Sequence, residues 1–354
     1  LEKTIDSELS GNVIDLCPVG ALTSKPYAFK SRPWELTKTE TFDVFDGIGS
    51  SIRVDTIGKK VLRVLPIINE ETNDEWISDK TRFAIDGLSR QRLDKVYIKK
   101  NNNLVNSNWE DALKIIKDEI IHRGKEKTIT LSGKFTDLET LYSAKLFSES
   151  LGSNYYDCRF DNAQFIYGSR DSYIFNSSIQ KIENADAILL VGSNPRWEAS
   201  VLNARIRKAY INNNCRIGLI GKNINLNYKY FKISENLTSL NSIADETNEF
   251  SKILKNAKNP LIIVGTSAIN HENGEDVLNN CAQIAKNLPN ANREFNPLNI
   301  LHQDISRVGA LDINFVNQEF NYNFNKKINE QINETKPVLF LLGLDEIDHN
   351  LIKN

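Results

Sequence analysis

The sequence contains no methionine and only four cysteines in 354 residues. Because the cysteines are sparse and irregularly spaced, they do not form the dense framework of a small secreted disulfide protein, and we expect free thiols in a reducing compartment. Methionine is missing even at position 1, where Leu1-Glu2-Lys3 shows no cleavable leader pattern. We therefore expect the chain to start at an internal or processed terminus, as a piece of a longer protein.

Long apolar runs and an excess of one charge are also missing. The longest apolar runs, such as Val338 to Leu342, span about five or six residues, whereas a membrane-spanning helix needs about 18 or more. The 44 basic and 46 acidic residues give a net charge of −2, which provides no general attraction to nucleic acid or anionic lipid. We therefore expect no nucleic-acid partner and no direct membrane span.

The first cysteine lies in the stretch Cys17-Pro18-Val19-Gly20. In bacterial-type iron-sulfur sites, the last thiolate of a cysteine run is followed directly by proline and often belongs to a different cluster from its neighbours. Pro18 favours an extended conformation at Cys17, and Gly20 permits a close turn that brings backbone N–H groups toward cluster sulfurs. A lone Cys-Pro pair is also typical of a buried structural cysteine before a turn. The two residues alone leave both interpretations open.

The longer string from Cys17 to Phe29, followed by Arg32-Pro33-Trp34-Glu35, resembles the large iron-sulfur subunit of respiratory complex I, the proton-pumping NADH:ubiquinone oxidoreductase. The resemblance implies that Cys17 is the fourth ligand of a [4Fe-4S] cluster whose other three ligands lie in an upstream Cys-x-x-Cys-x-x-Cys run. No such run exists in this sequence. We therefore expect the other thiolates to come from outside these residues, in a separate or longer chain.

Residues 38–100 are predicted to form a small β-rich domain, preceded by a turn-rich segment, residues 1–37, that resembles the tail of a ferredoxin-like iron-sulfur domain. Strands are predicted at 42–45, 51–55 and 61–65, the last two joined by a tight turn. Related bacterial subunits and molybdopterin oxidoreductases bind a further [4Fe-4S] cluster in this domain through four cysteines. By resemblance, these cysteines align with Asp43, Asp46, Ser50 and Ser78.

None of these four residues supplies a thiolate, which is the pattern of mitochondrial members of the family. We therefore expect them to lie close together and to hold no cluster. A hard-metal site is the alternative, since the carboxylates of Asp43 and Asp46 suit Mg²⁺ or Ca²⁺. Strand and turn carboxylates are usually solvated, and this favours metal-free packing.

Residues 101–354 alternate between strand and helix patterns after an expected linker at Asn101-Asn102-Asn103. Apolar runs that end in glycine are typical of parallel strands buried on both faces, with helices as crossovers. The pattern predicts a doubly wound α/β domain with strands near 128–131, 187–191, 216–220, 261–264 and 338–342. Its sequence resembles the molybdopterin-oxidoreductase fold.

The loop Gly192-Ser193-Asn194-Pro195 follows the strand at 187–191, at the sheet edge where open α/β folds bind ligands. A dinucleotide site would need Gly-x-Gly-x-x-Gly there, and Gly192 stands alone. The resemblance implies an inherited molybdopterin loop, for which Arg196 and Arg205 could supply charge. We expect this loop to be empty, because Cys158 lies several residues before the position implied for the metal ligand, around Asn162-Ala163. Trp197 or Tyr167 would fill the former cavity.

The resemblance implies an electron-transfer and scaffold subunit of complex I, on the matrix side of the mitochondrial inner membrane, with no catalytic residues of its own. The implied partners are the flavin-bearing NADH-oxidising subunit, the quinone-module subunits and an N-terminal cluster-binding segment. Two alternatives remain open at this point. One is a molybdopterin-dependent oxidoreductase, and the other is a cluster-free structural subunit.

Overall fold

The computed structural model describes residues 5–166, 168–271, 273–288, 296–317 and 324–344. The start of the chain at Leu1-Glu2-Lys3 and the side chain of Tyr167 lie outside these ranges. The chain forms two compact units, one of Leu1–Ser89 with Gln164–Ile305 and one of Arg90–Ala163 with Ser306–Asn354. The division into residues 1–37, 38–100 and 101–354 remains a proposal about folding modules. Within the described ranges, no helix is both long and apolar enough to cross a membrane.

The strands, in chain order, are β1 (Thr37–Phe42), β2 (Ser51–Ile57), β3 (Lys60–Pro66), β4 (Val96–Lys100), β5 (Asn103–Ser107), β6 (Ile129–Ser132), β7 (Tyr156–Asp157), β8 (Ala187–Val191), β9 (Arg216–Ile220), β10 (Phe231–Ser234), β11 (Pro260–Gly265), β12 (Leu298–Leu301) and β13 (Leu339–Leu342). The α-helices are α1 (Asn12–Leu16), α2 (Asp79–Phe83), α3 (Trp109–Arg123), α4 (Leu138–Ser150), α5 (Pro195–Glu198), α6 (Ser200–Asn212), α7 (Leu240–Ala244), α8 (Glu249–Asn256), α9 (Thr266–Ile269), α10 (Gly274–Lys286), α11 (Ser306–Asp312) and α12 (Phe324–Thr335).

The first unit contains a small antiparallel sheet in the order β1-β2-β3. Its inner face packs Ile52, Val64 and Ile77 into a core. The predicted strand at 42–45 is displaced, because β1 ends at Phe42. The reason is local: the carboxylate of Asp43 accepts a hydrogen bond from the N–H of Phe45 at 2.9 Å, which bends the chain into a turn instead of extending the strand.

The same unit contains a five-stranded parallel sheet in the order β10-β9-β8-β11-β12. Ile188 and Leu190 of β8 cluster with Leu202 and Ile206 of α6. Leu189, between them, points to the opposite face and is equally buried. The chain runs from β8 outward to β10 and then returns to β11, so the strand order reverses between β8 and β11. This reversal confirms the predicted doubly wound class and places a ligand-binding crevice at the carboxyl ends of these two strands.

The second unit has its own parallel sheet, in the order β13-β6-β7. Ile129 and Leu131 of β6 pack against Ile328 and Ile332 of α12. The predicted strands at 128–131 and 338–342 therefore exist, but they pair with each other and not with the five-stranded sheet. The expected linker at Asn101-Asn102-Asn103 is a turn between β4 and β5, where Asn101 and Asn102 adopt φ of 49° and 63°. Asparagine tolerates this left-handed conformation better than most residues.

Candidate functional site

Cys17 lies directly after α1, in a turn that presents several backbone N–H groups. Its φ of −81° and ψ of 102° are extended, as expected for a residue that precedes proline. Gly20 adopts a φ of +66°, which folds the chain back so that the N–H of Leu22 donates to Cys17 Sγ at 3.5 Å. The turn therefore presents backbone hydrogen-bond donors to the sulfur.

These donors lower the pKa of the Cys17 thiol. The N–H of Leu22 contributes most; burial opposes it as the next largest effect, and the N–H groups of Ala21, Val19 and Gly20 add smaller contributions in the lowering direction. Hydrogen bonds to the charged form of a thiol favour the thiolate, and the thiolate is the form that binds metal. Because Cys17 is also partly exposed, a metal ion or cluster can reach its sulfur.

The helix that precedes Cys17, α1, is held to the small sheet by α2. The carboxylate of Asp79 accepts hydrogen bonds from the hydroxyl of Ser10 and, at 2.7 Å, from the N–H of Gly11. Arg82 of α2 pairs with Asp15 of α1 at 2.5 Å and is 5% exposed. These contacts fix α1 in place, and with it the starting point of the Cys17 turn.

The other three cysteines have a different environment. Cys158, Cys215 and Cys281 are buried, and burial raises the pKa of each thiol to about 12. A neutral buried thiol packs like a small apolar side chain and does not bind metal readily. Cys158 is only 5% exposed, which fits the expected core residue and does not fit a molybdenum ligand.

This contrast predicts the order in which the thiols react. In iron-free full-length protein at pH 7.5, iodoacetamide is expected to alkylate Cys17 well before Cys281, since only Cys17 combines access with a lowered pKa. The pH midpoint of the Cys17 rate should lie below that of an ordinary thiol. Peptide mass spectrometry over time measures both rates, and equal rates for Cys17 and Cys281 under native conditions would contradict the assignment.

The structure brings together the positions that the resemblance aligns with cluster cysteines, Asp43, Asp46, Ser50 and Ser78. The N–H of Asp43 donates to the carbonyl of Ser50 at 2.8 Å. The hydroxyl of Thr81 donates to Asp43 Oδ2 and lies 2.7 Å from the hydroxyl of Ser78. Sequence reasoning missed Thr81, although its position three residues after Ser78 is typical of a helix start, and Ser78 does cap α2.

These positions are buried, which corrects the expectation that the carboxylates are solvated. Asp43 is 1% and Asp46 5% exposed. Burial raises the pKa of Asp46 to about 7, and the negative charge of Asp43 adds to this shift, while the N–H groups of Ile48 and Ser200 and the charge of Lys80 oppose it. Burial likewise raises the pKa of Asp43. Carboxylates and hydroxyls are hard oxygen donors, and an iron-sulfur cluster needs thiolates, so this set does not fit a cluster.

The crevice between β8 and β11 is narrowed by the close approach of the two loops that follow these strands. Gly192 has a φ of +54°, and a Cβ there would lie 2.6 Å from Ala268 Cβ. A Cβ on Gly265 would lie 2.5 Å from the carbonyl oxygen of Gly192. The hydroxyl of Ser267 donates to the same carbonyl. The two loops therefore pack against each other where a ligand would enter the crevice.

The charged side chains near the loop 192–195 are also unfavourable for binding a phosphate group. Glu198 Oε2 accepts a hydrogen bond from the hydroxyl of Ser193 at 2.9 Å, which places a carboxylate beside the loop. Arg196 is paired with Glu8, and Arg205 is paired with Asp74 and Glu183. Neither arginine is available for the phosphate role that the sequence suggests. A pterin dinucleotide, which carries phosphates, does not fit these residues.

The sequence also suggests that Trp197 or Tyr167 fills the former cavity. Trp197 is 64% exposed, so it does not fill a cavity, and the prediction for it was wrong. Tyr167 lies outside the described residues. The backbone contacts of Gly192 and Gly265 narrow the crevice instead.

Three protein-family models match this chain and together cover most of its length. The family model for molybdopterin oxidoreductase matches residues 92–353. The model for the NADH-ubiquinone oxidoreductase NDSU1/NuoG-like 4Fe-4S domain matches residues 36–86, a range without cysteine in this chain. The model for the ferredoxin-like domain of NADH-quinone oxidoreductase subunit 3 matches residues 1–23, which include Cys17.

Similar curated proteins are about twice as long as this chain. An NADH-quinone oxidoreductase subunit of Rickettsia felis is 40% identical over 354 residues, which are 100% of this chain and 51% of that protein. The "NADH-ubiquinone oxidoreductase 78 kDa subunit, mitochondrial" of Neurospora crassa is 42% identical over 362 residues, 98% of this chain and 46% of its own length. The "NADH dehydrogenase [ubiquinone] iron-sulfur protein 1, mitochondrial" of Solanum tuberosum is 41% identical over 350 residues, 98% of this chain and 46% of its own length.

A solved structure, acetylene hydratase from Pelobacter acetylenicus, gives a TM-score of only 0.37 at 16% identity, over 52% of this chain and 27% of its own. The family models and the curated relatives carry the assignment. The chain spans about half the length of the curated relatives it matches. It belongs to the molybdopterin oxidoreductase family and, within that family, to the large iron-sulfur subunits of NADH:quinone oxidoreductase.

Proposed function

We propose that this chain takes part in electron transfer from NADH to ubiquinone by holding one [4Fe-4S] cluster through Cys17. The observation that carries the proposal is the turn from Cys17 to Leu22, in which backbone N–H groups surround an accessible sulfur of lowered pKa. A bound cluster would accept and pass on single electrons. The N–H groups of the turn would tune its reduction potential, since hydrogen bonds to cluster sulfurs do so.

The remaining cluster ligands are proposed to come from another segment or chain. Among the described residues, no group of three or more His, Cys, Asp or Glu side chains could hold a metal ion. Apolar side chains surround the turn, and Leu16, Val19 and Leu22 are 57%, 82% and 49% exposed. Such a surface suits burial against the segment that supplies the other thiolates. A dry surrounding would also influence the potential of the cluster.

The rest of the first unit is proposed to act as a scaffold for this cluster. Arg196 joins Glu8, near the start of the Cys17 segment, to the loop after β8. Arg205 joins α6 to the carbonyls of Glu70 and Thr72 beside the small sheet. A fixed position matters because electron transfer depends on the distance between redox centres. We place the chain in the peripheral arm, with the flavin-bearing and quinone-module subunits as partners, on the matrix side of the mitochondrial inner membrane.

Metal analysis and EPR of the complex purified through a tag on this chain test the proposal. After reduction with NADH, the complex is expected to show a [4Fe-4S] signal and to reduce ubiquinone. Molybdenum and tungsten are expected to remain far below one atom per chain, because the loops at Gly192 and Gly265 pack tightly against each other and the nearby arginines are already paired with carboxylates. An iron-free complex would refute the electron-transfer role, and stoichiometric molybdenum or tungsten would favour a molybdopterin-dependent enzyme.

A further inference from the structure

The structure brings the oxygen donors of Asp43, Asp46, Ser50, Ser78 and Thr81 together at the end of the small sheet, and this buried cluster of five residues is called the pocket below. The hydrogen bond from Asp43 N–H to Ser50 O continues the register of β1 and β2 beyond the pair Phe42 and Ser51. Side chains of directly opposed residues in an antiparallel pair leave the same face of the sheet. The hydroxyl of Ser50 and the carboxylate of Asp43 therefore point into the same pocket.

The hydroxyl of Ser50 has no hydrogen-bond partner in the part of the chain that the structure describes, although Ser50 is only 1% exposed. Buried hydroxyls are nearly always paired with protein or with an ordered ligand or water. An unpaired hydroxyl directed into a pocket with two carboxylates is therefore an independent sign that something binds there.

The two carboxylates lack a close positive partner. Within the described ranges, neither Asp43 nor Asp46 has a Lys or Arg nitrogen within 4.0 Å, and Lys80 acts on both only at longer range. Each carboxylate accepts a backbone N–H, Asp43 from Phe45 and Asp46 from Ile48. Asp43 also accepts the hydroxyl of Thr81. None of these donors carries a positive charge, and buried carboxylates in proteins are normally paired with a cation or bound to a metal.

We propose that Asp43, Asp46 and Ser50 bind a divalent hard cation, Mg²⁺ or Ca²⁺. Two carboxylates match the charge of a divalent ion, and oxygen donors are the ligands that these ions prefer. Ser78 and Thr81 border the pocket and can contribute a further hydroxyl. The site is separate from Cys17, so its failure would leave the proposed electron-transfer role untouched.

Isothermal titration of the full chain, after dialysis against EDTA, tests the site with MgCl₂ and CaCl₂ in separate arms. A single saturable site per chain is expected with at least one of the two ions, and the tighter ion identifies the occupant. Asp46→Asn is expected to weaken binding about tenfold or more, because a charge-assisted contact is lost. Asp86→Asn, at an exposed position in the same domain, should bind like the unmodified chain.

Ser50→Ala provides a second test, which stays informative even if the Asp46→Asn variant does not fold. If the pocket holds only side chains, removing an unpaired buried hydroxyl should raise the melting temperature in EDTA and change nothing when cation is added. If the cation binds as proposed, Ser50→Ala should weaken it about tenfold and reduce the rise in melting temperature that the cation produces. Absence of saturable binding by both ions, or unchanged binding in Ser50→Ala and Asp46→Asn, would overturn the proposal.

Discussion

Replacing Cys17 with serine is expected to remove one [4Fe-4S] EPR signal from the purified complex and to lower electron transfer from NADH to ubiquinone by at least about tenfold. Iron-sulfur clusters require soft thiolate ligands, and a serine hydroxyl at the end of α1 is a hard donor that stays protonated at neutral pH. The turn from Val19 to Leu22 would remain, because it depends on backbone conformation and on Gly20. The effect should therefore be confined to the cluster.

The matched control is Cys281→Ser, the same substitution at a fully buried position of α10. This change is expected to cost about 1–3 kcal/mol of stability, since it buries a hydroxyl in an apolar site, while every EPR signal is kept. NADH oxidation with an artificial acceptor that takes electrons at the flavin should be unaffected in both variants. A full set of EPR signals in Cys17→Ser, or equal loss in Cys281→Ser, would contradict the role of Cys17.

The conformation at Cys17 was predictable because its causes are local. Pro18 restricts the residue before it, and Gly20 supplies the left-handed turn, so four consecutive residues determine where the backbone N–H groups point. Three strands of the five-stranded sheet, β8, β9 and β11, were predictable for a similar reason. A run such as Ala187 to Val191 is fully buried, and its composition alone indicates a strand with two covered faces.

The amino-acid composition of a strand does not show which other strands it pairs with. The runs at β6 and β13 have the same apolar character as β8, yet they form a separate sheet with β7. Strand pairing depends on which helices cover each sheet, and here Ile328 and Ile332 of α12 pack on β6. The sequence pattern therefore predicted five strands of the α/β region, but not β7, β10 and β12, and not the division of the strands between two sheets.

The environment of Asp43 and Asp46 was beyond sequence reasoning for a related cause. Aspartate in a turn is usually exposed, and nothing adjacent in sequence indicates otherwise. Burial arises from distant segments: Thr81 of α2 bonds to Asp43, and the N–H of Ser200 at the start of α6 faces Asp46. The narrowed crevice is a parallel case, since its narrowing results from contacts between Gly192, Gly265 and Ala268 and not from a bulky side chain.

Arg205→Met is expected to lower the free energy of unfolding by about 3 kcal/mol or more, because it breaks a buried ionic network. The Arg205 side chain is 3% exposed and pairs with Asp74 at 2.9 Å and with Glu183 at 2.5 Å. It also donates to the carbonyls of Thr72 and Glu70 at 2.8 and 2.6 Å. Methionine keeps the length of the aliphatic stem but leaves all four acceptors without this donor.

The size of the loss depends on what remains around these acceptors. Asp74 and Glu183 are 23% and 30% exposed and both stay paired with Lys208, which limits the charge that is left uncompensated. The carbonyls of Glu70 and Thr72 lose a guanidinium donor that Lys208 does not replace, so the loop beside the small sheet should loosen first. Hydrogen exchange of residues 70–76 is expected to speed up in Arg205→Met more than in the strands of the five-stranded sheet.

Arg207→Met provides the control, since Arg207 is on the same helix but exposed, and its replacement should change stability by no more than about 0.5 kcal/mol. Denaturant unfolding of the full chain measures both variants under the same conditions. If Arg205→Met unfolds within about 1 kcal/mol of the unmodified protein, the network is not what joins α6 to the small sheet. If it unfolds early and releases the 70–76 loop, Arg205 serves as the fixed link between α6 and the loop beside the small sheet.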